Sequence, residues 1–411
     1  MSQFLNLITI EEAMKKTEHG LSSTPVKKVG LKNVTGRILA QDVVSPVNVP
    51  PFSRSTMDGY ALKAADTYGA SESLPVYLEV VGKVEMGKEA TAEIASGQAV
   101  EIPTGGMLPP GADAVVMVEE TEKVAEQEIE VLTAVGKGEN IVQCGEDIAR
   151  GEKLLARGQC LRPQDVGALA GIGIVEVEVF SRPEIAVFST GDEIIPPADK
   201  PAPGQIRDIN TYSLGALVQQ VGGKVDYGGI IPDQKNELKE KIKQATRDKD
   251  MILLSGGSSV GVKDLTIEVL EELQDSGVLV HGIAIKPGKP TIIALLEETL
   301  FIGLPGHPTS AMVVFEIVVR PIIERLAGFG EQAAPRTTRV RAELTRNIAS
   351  SRGRSEYFRV KLRQAEDTLL AEPMLGKSSL ISTMVEADGL VNVELGSEGK
   401  TKGDLVEVRV F

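Results

Sequence analysis

Hydrophobic and polar positions along this chain follow two rhythms, and the changes between them divide it. From 45 to 150, short runs such as VYLEVVGKV, AVEIP, DAVVMVEE and EIEVL alternate with period two between Gly and Pro, which predicts a mostly β module. From 184 to 326 the order is apolar run, loop, amphipathic helix, apolar run. The runs EIAVFS, KVDYGGI, MILLS, VLVHGIAI, TIIALL and FIGLP predict strands. A helix is predicted from about Thr211, where Leu214, Leu217, Val218 and Val221 fall at i, i+3, i+4 and i+7 ahead of Gly222 and Gly223. Further helices are predicted over 235 to 247, over 265 to 273 and from about Thr309. Strands alternating with helices imply a doubly wound, mainly parallel sheet, whose ligands bind at the carboxyl ends of the strands.

The flanking segments are simpler. Thr9 and Glu12 form a capping box that opens a helix running to about Lys16. Residues 163 to 173 predict a small helix followed by the strand IVEVEVF, with a boundary at Arg182-Pro183. From 336 to 411 period two returns in RVRAEL, EYFRVKL, GLVNVEL and DLVEVRVF, predicting a small β-barrel or sandwich.

At 411 residues the chain is too long for one ordinary core, so two to four domains are expected. Apolar content of 42% and charged content of 25% place it among soluble globular proteins, and no apolar run reaches spanning length. The first residues lack the pattern of a signal peptide, so the cytoplasm is the expected location and no membrane partner is expected. Cys144 and Cys160 are too few for a disulfide framework and no zinc spacing occurs, so both read as free thiols, buried or semi-exposed. A net charge of −14 repels phosphate backbones, and with no Trp there are few stacking platforms, so nucleic acid is not an expected partner. An anionic ligand would have to be held by particular lysines, glycines or a divalent metal.

Two glycine-rich loops offer such a hold: SGGSSVGVKD at 255 to 264 and KPGKP at 286 to 290. Gly256, Gly257 and Gly261 match neither a Walker A loop nor a Rossmann fingerprint, and a tight strand-to-helix turn would account for the first loop alone. Asp264 before the next helix and Lys286 and Lys289 at the next strand end point instead to a metal and an oxyanion. STGDE places Asp192 and Glu193 at another strand end. Asp208 and Asp233 lie at loop-to-helix junctions, where either helix capping or a ligand role would suit them. In the β module, Asp58, Thr104 and Asp147 sit in loops that ordinary turn chemistry would also explain. His19, His281 and His307 are too dispersed for a ligand set.

In order, STMDGYA, PTGGMLPPGADAVVM, GEDI, STGDE, GQIRDIN, SGGSSVG with Asp264, AIKPGKP and GLPGHPTSA resemble one family across nearly the whole chain. It is the molybdopterin molybdenumtransferase family, similar to the E domain of gephyrin. The resemblance implies a multidomain α/β plus β subunit in four parts. These are a doubly wound molybdopterin-binding domain (1–21 and 182–331), a small linking α/β domain (22–44 and 148–181), the mostly β module (45–147) and a C-terminal β-barrel (332–411). It further implies a homodimer with the site shared between subunits. The implied reaction inserts molybdate into adenylylated molybdopterin with Mg²⁺-dependent release of AMP. A molybdopterin adenylyltransferase and an apo-molybdoenzyme are the implied protein partners.

The resemblance carries residue roles with it. Glu193, Asp233 and Asp264 match positions that hold the metal or the adenylylated phosphate, and Asp58, Thr104 and Asp147 match site residues of the β module. Ser255, Gly256, Gly257, Lys286, Lys289, Ser310 and Arg354 match substrate and oxyanion positions. Ser258, Val262, Ile209 and His307 depart from the residues frequent in relatives. Two other readings compete: a non-catalytic carrier or scaffold of the gephyrin E-domain type, and an adenylyltransferase. Retention of Glu193, Asp264, Lys286 and Lys289 favours the transferase over the first, and the extra β domains favour it over the second.

Overall fold

The computed structural model describes residues 7–18, 21–256, 260–273, 276–330, 337–374, 376 and 379–411; the side chains of 260–264 and of 276 lie outside that description. The central sheet is built from β1 (Glu184–Thr190), β2 (Lys224–Ile231), β3 (Met251–Gly256), β4 (Ser276–His281), β5 (Ile292–Leu296) and β6 (Thr299–Leu304). Its strand order is β2-β1-β3-β6-β5-β4, and every strand except β5 runs in one direction. Only Glu297 and Glu298 separate β5 from β6, which leaves no room for the crossover a parallel pair needs and forces a hairpin.

Alternation along the strands builds a core on each face. Ile185 and Val187 of β1 face one core, shared with Leu214 and Val218 of helix α3 (Asn210–Gln220), while Ala186 and Phe188 face the other. Leu238 and Ile242 of helix α4 (Lys235–Ala245) and Leu270 of helix α5 (Val260–Glu272) complete that second core. A doubly wound three-layer domain results. Helix α1 (Ile10–Glu18) inserts Ala13 into the first core, and its capping box forms: Glu12 N–H donates to Thr9 Oγ1 at 3.1 Å and Thr9 N–H to Glu12 Oε2 at 2.8 Å. Helix α6 (Pro308–Val314) runs through a π-turn, Phe315–Val319, into α7 (Arg320–Leu326). Inside that bend Glu316, buried, takes the buried Arg320 guanidinium through both oxygens at 2.7 and 2.8 Å.

Outside this domain, Val26–Gly30 pairs antiparallel with Glu176–Phe180 over a core holding Leu39, Leu161 and Leu169 of helix Pro163–Gly171. The β module is a six-stranded sheet from Gly59–Leu62 to Glu128–Val131. At the C-terminus, strands Ser355–Ala365, Thr368–Pro373, Arg339–Leu344, Leu405–Val410 and Gly389–Val393 pair in a closed ring, so the segment is a barrel rather than a sandwich.

The run VLVHGIAI is not one strand. β4 stops at His281, Ile283 N–H turns back to the Lys289 carbonyl at 3.0 Å, and Ile285–Lys286 departs to pair parallel with Ser355–Glu356 of the barrel. Tyr357 packs against the core of the central domain while Phe358 packs into the barrel, so one strand serves both. Among the described residues no helix is long and apolar enough to cross a membrane.

Candidate active site

The parallel register brings the predicted loops to one edge. Ser189 lies opposite Ser255, Thr190 opposite Gly256, and Ser255 opposite Leu304, so STGDE, SGG and LPG leave neighbouring strands side by side. Gly256 is required there by contact as well as by conformation. Its φ is +139°, and an added Cβ would lie 2.1 Å from the Thr190 carbonyl oxygen. Ser255 is fully buried; its hydroxyl donates to the Pro305 carbonyl at 3.2 Å and accepts from the Asn210 amide at 2.7 Å. The same Asn210 amide reaches the Gly306 carbonyl at 2.8 Å and ties SGG to LPG.

The acids of this edge separate by role. Asp208 is buried and accepts the Thr211 N–H at 3.1 Å and the Ser189 hydroxyl at 2.8 Å, so it caps α3. Asp233 does not cap α4: its Oδ1 takes the Thr190 hydroxyl at 2.6 Å, and its N–H donates to Asp192 Oδ1 at 3.1 Å. Glu193 is exposed, its carboxylate folded over Gly191. Both are hard oxygen donors of the kind Mg²⁺ takes one or two of alongside phosphate oxygens. Gly257 and Ser258 lie outside the described residues, and the side chains of Val262 and Asp264 outside the described side chains; α5 begins at Val260, so Asp264 lies within that helix rather than before it. Among the described residues no group of three His, Cys, Asp or Glu is close enough to hold a metal.

The oxyanion residues converge. Lys286, Lys289, Ser310 and Arg354 line one cleft of about 480 Å³ between the central domain and the barrel. Gly288 permits its floor: with φ +120°, an added Cβ would meet Val314 Cγ2 at 2.4 Å. Ser310 is buried at the start of α6, and Arg354 Nε is buried with no hydrogen-bond partner among the described residues. Lys286 pairs with the Glu356 carboxylate, which is buried and also accepts the Ser350 hydroxyl at 3.0 Å.

Sequence reasoning missed Glu356, and missed Arg359 as well. The guanidinium of Arg359 is buried, donates to Thr383 Oγ1 at 2.5 Å and to the Gly376 carbonyl at 3.0 Å, and is held below the usual arginine value by burial. Both residues sit on a strand read only for its alternation. Glu356 shares its phase with Phe358, Val360 and Leu362, and a carboxylate in the apolar phase of a strand was the signal available. Burial also pushes the Tyr357 hydroxyl up to about 12.

A second cavity, of about 750 Å³, is mostly apolar, lined by Pro196, Pro197, Ile209, Tyr212, Met312 and Met384 among others. Here Ile209, one of the departures, is an exposed wall residue. On the β module, Asp58 Oδ1 accepts both the N–H and the hydroxyl of Thr104, at 2.7 and 3.1 Å. The N–H, then the hydroxyl, hold the Asp58 carboxyl below its ordinary value. Asp147 is exposed in a separate loop anchored by its N–H to the Val49 carbonyl at 3.1 Å. Cys144 is exposed and Cys160 half-buried, and neither is in a disulfide.

Three family models match the chain in order: the MoeA N-terminal region (domains I and II) over 8–173, a probable molybdopterin-binding domain over 186–325, and the MoeA C-terminal region (domain IV) over 341–411. The chain is 34% identical to a putative molybdopterin biosynthesis protein of Methanocaldococcus jannaschii over 99% of each chain. It is 33% identical to the molybdopterin molybdenumtransferase of Haemophilus influenzae over 98% of this chain and 99% of that one. A crystal structure of the molybdopterin biosynthesis protein MoeA from Pyrococcus horikoshii superposes with a TM-score of 0.85 at 30% identity, covering 99% of this chain and all of that one.

Proposed function

The chain belongs to the MoeA family of molybdopterin molybdenumtransferases, enzymes of molybdenum cofactor biosynthesis, and from that membership we propose that it inserts molybdate into adenylylated molybdopterin with Mg²⁺-dependent release of AMP. The observation that carries the reading is the cleft between the central domain and the barrel. Lys289, Arg354 and Arg359 line it without a carboxylate partner among the described residues, so it presents net positive charge in a chain whose overall charge is −14. A tetrahedral dianion suits that arrangement, and charge-assisted donors bind one more strongly than neutral donors do.

Glu193 and Asp233, with Asp264 as the third acid, would hold Mg²⁺ at the neighbouring strand ends. When bound, Mg²⁺ offsets charge on the phosphate of the departing AMP. The chain's own residues bind and orient. Lys286, Lys289 and Arg354 fix the oxyanion, the Ser310 hydroxyl adds a neutral donor, and Thr190 holds Asp233 in place through its hydroxyl. The apolar cavity beside Tyr212 and Met312 is open to solvent and offers a face for a flat ring of the substrate. The fixed positive charge of Lys286, Lys289 and Arg354 offsets the repulsion between the two anions, and no protein nucleophile is required.

Asp58, Thr104 and Asp147 are exposed on the β module and hydrogen-bond within it, which supports a site completed by that module of a second subunit in a homodimer. The test supplies purified protein with adenylylated molybdopterin, Mg²⁺ and molybdate, and measures AMP. Release that rises with molybdate, and product that activates an apo-molybdoenzyme, is the expected result. AMP release indifferent to molybdate rejects the transferase, and binding of the pterin without release favours a carrier.

A further inference from the structure

Glu356 is an odd residue to find on the wall of an anion site. Its carboxylate is the one acid among the described residues lining the cleft, and a fixed negative charge there opposes the oxyanion the cleft is built to take. It is also buried, and burying a carboxylate is costly unless it is paired and hydrogen-bonded. Both conditions are met: Ser350 Oγ donates to Oε2 at 3.0 Å and the Lys286 ammonium to Oε1. The backbone holds the pair in register, because Lys286 lies opposite Glu356 in the parallel pairing, and Ser355 N–H donates to the Ala284 carbonyl at 2.9 Å.

The two ends of the pair differ. The carboxylate is enclosed, with 6% of its side chain exposed, whereas 49% of the Lys286 side chain remains open toward the cleft. An ammonium carries three N–H donors on a flexible four-carbon stem and reaches many positions when untethered. We propose that Glu356 is a positioning residue of the oxyanion cleft: it takes one donor of Lys286 and so aims the other two at the bound oxyanion. The inference rests on the oxyanion reading of the cleft given above. Glu356 acts through Lys286, and its cost in repulsion is offset by a cation already ordered when the ligand arrives, the advantage of preorganisation.

The test is molybdate binding measured calorimetrically on the full chain without the pterin, for wild type, Glu356→Gln, Glu356→Ala, Lys286→Ala and the Lys286→Ala/Glu356→Ala pair. Losing an oriented charge-assisted bond should weaken the dissociation constant of Glu356→Ala by about tenfold or more. Gln keeps an acceptor for Lys286, and Glu356→Gln should stay within about threefold of wild type. In the Lys286→Ala background, Glu356→Ala should not weaken binding and should tighten it as the carboxylate's repulsion is relieved, since a residue acting only through Lys286 has nothing left to orient. Equal losses with and without Lys286 would overturn the proposal, as would wild-type affinity in Glu356→Ala. Should Glu356→Ala not fold, Glu356→Gln decides alone, and a loss beyond threefold sinks the idea. Wild type that fails to bind molybdate rejects the oxyanion reading itself, a result distinct from wild type that binds while Glu356→Ala binds equally.

Discussion

Replacing Gly256 by Ala adds one methyl group at the edge that carries the site, and the structure sets its cost. At φ +139° a side chain is strained by about 1–3 kcal/mol before any contact is considered. The new Cβ would also stand 2.1 Å from the Thr190 carbonyl oxygen and 2.8 Å from Thr190 Cγ2. Backbone on the opposite strand cannot rotate away as a side chain could. β1 and β3 would have to part where Thr190 faces Gly256, forfeiting one or two ladder hydrogen bonds at about 1 kcal/mol each. The sum is roughly 2–5 kcal/mol, which for a domain of this size lowers the unfolding transition by roughly 5–15 °C.

Function should fall further than stability. Thr190, displaced by the methyl, is the residue whose hydroxyl holds Asp233 at 2.6 Å. We expect scanning calorimetry to show the central-domain transition lowered by that amount, and molybdate-dependent AMP release to drop at least about tenfold well below the transition, since misplacing a site group by an ångström costs on that order. Gly167→Ala is the control. It lies in helix Pro163–Gly171 with nothing within 4 Å of the new methyl, so it should stabilise by about 0.5–1 kcal/mol. A Gly256→Ala protein within about 2 °C of wild type that keeps most of its AMP release would refute the reasoning.

Two further outcomes follow from buried charge and buried hydroxyl. Glu316→Ala takes the carboxylate from the buried Arg320 guanidinium and from Arg409 Nε, 3.9 Å away, at a cost of about 3–5 kcal/mol in urea unfolding, whereas replacing Glu316 and Arg320 together by Met should lose less, because only Arg409 then lacks that carboxylate; similar losses in the single and double variants would count against the pair. Tyr357 keeps its proton to about 12 when folded but releases it near 10 when unfolded, so its stabilisation, about 3 kcal/mol, is complete below pH 10 and lost as pH rises through 12. Unfolding measured between pH 9 and 12 should fall less steeply in Tyr357→Phe, and parallel slopes would contradict the assignment.

Much of the fold is written locally. The capping box of Thr9 and Glu12, the a-and-d-like spacing of Leu214, Leu217, Val218 and Val221, and the alternation inside the barrel strands each need only near neighbours to act. The reversal of β5 was legible too, since the four residues between TIIALL and FIGLP cannot hold a crossover. The break in VLVHGIAI was not. Gly282, at φ +101°, lets the chain leave the sheet there without dictating it, and Ile285 and Lys286 then pair with Ser355 and Glu356 of the barrel strand.

The same distinction explains the site. Loops at the carboxyl edge were found from sequence because a parallel sheet places all such loops together whatever the details of packing, so STGDE, SGG and LPG could be grouped without coordinates. Gly256 is needed for the approach of Thr190 and Gly288 for that of Val314, contacts between strands and helices that the sequence alone does not reveal. Asp233 escaped the capping role open to any Asp before a helix because Thr190, on another strand, competes for its carboxylate. Glu356 and Arg359 belong to a cleft that exists only where two domains meet, and period two reports which face of a strand a residue occupies, not what lies beyond that face. An acid in the apolar phase of EYFRVKL breaks the pattern of its own strand, and its explanation lies seventy residues earlier, in a lysine read as a free anion binder that is already half engaged.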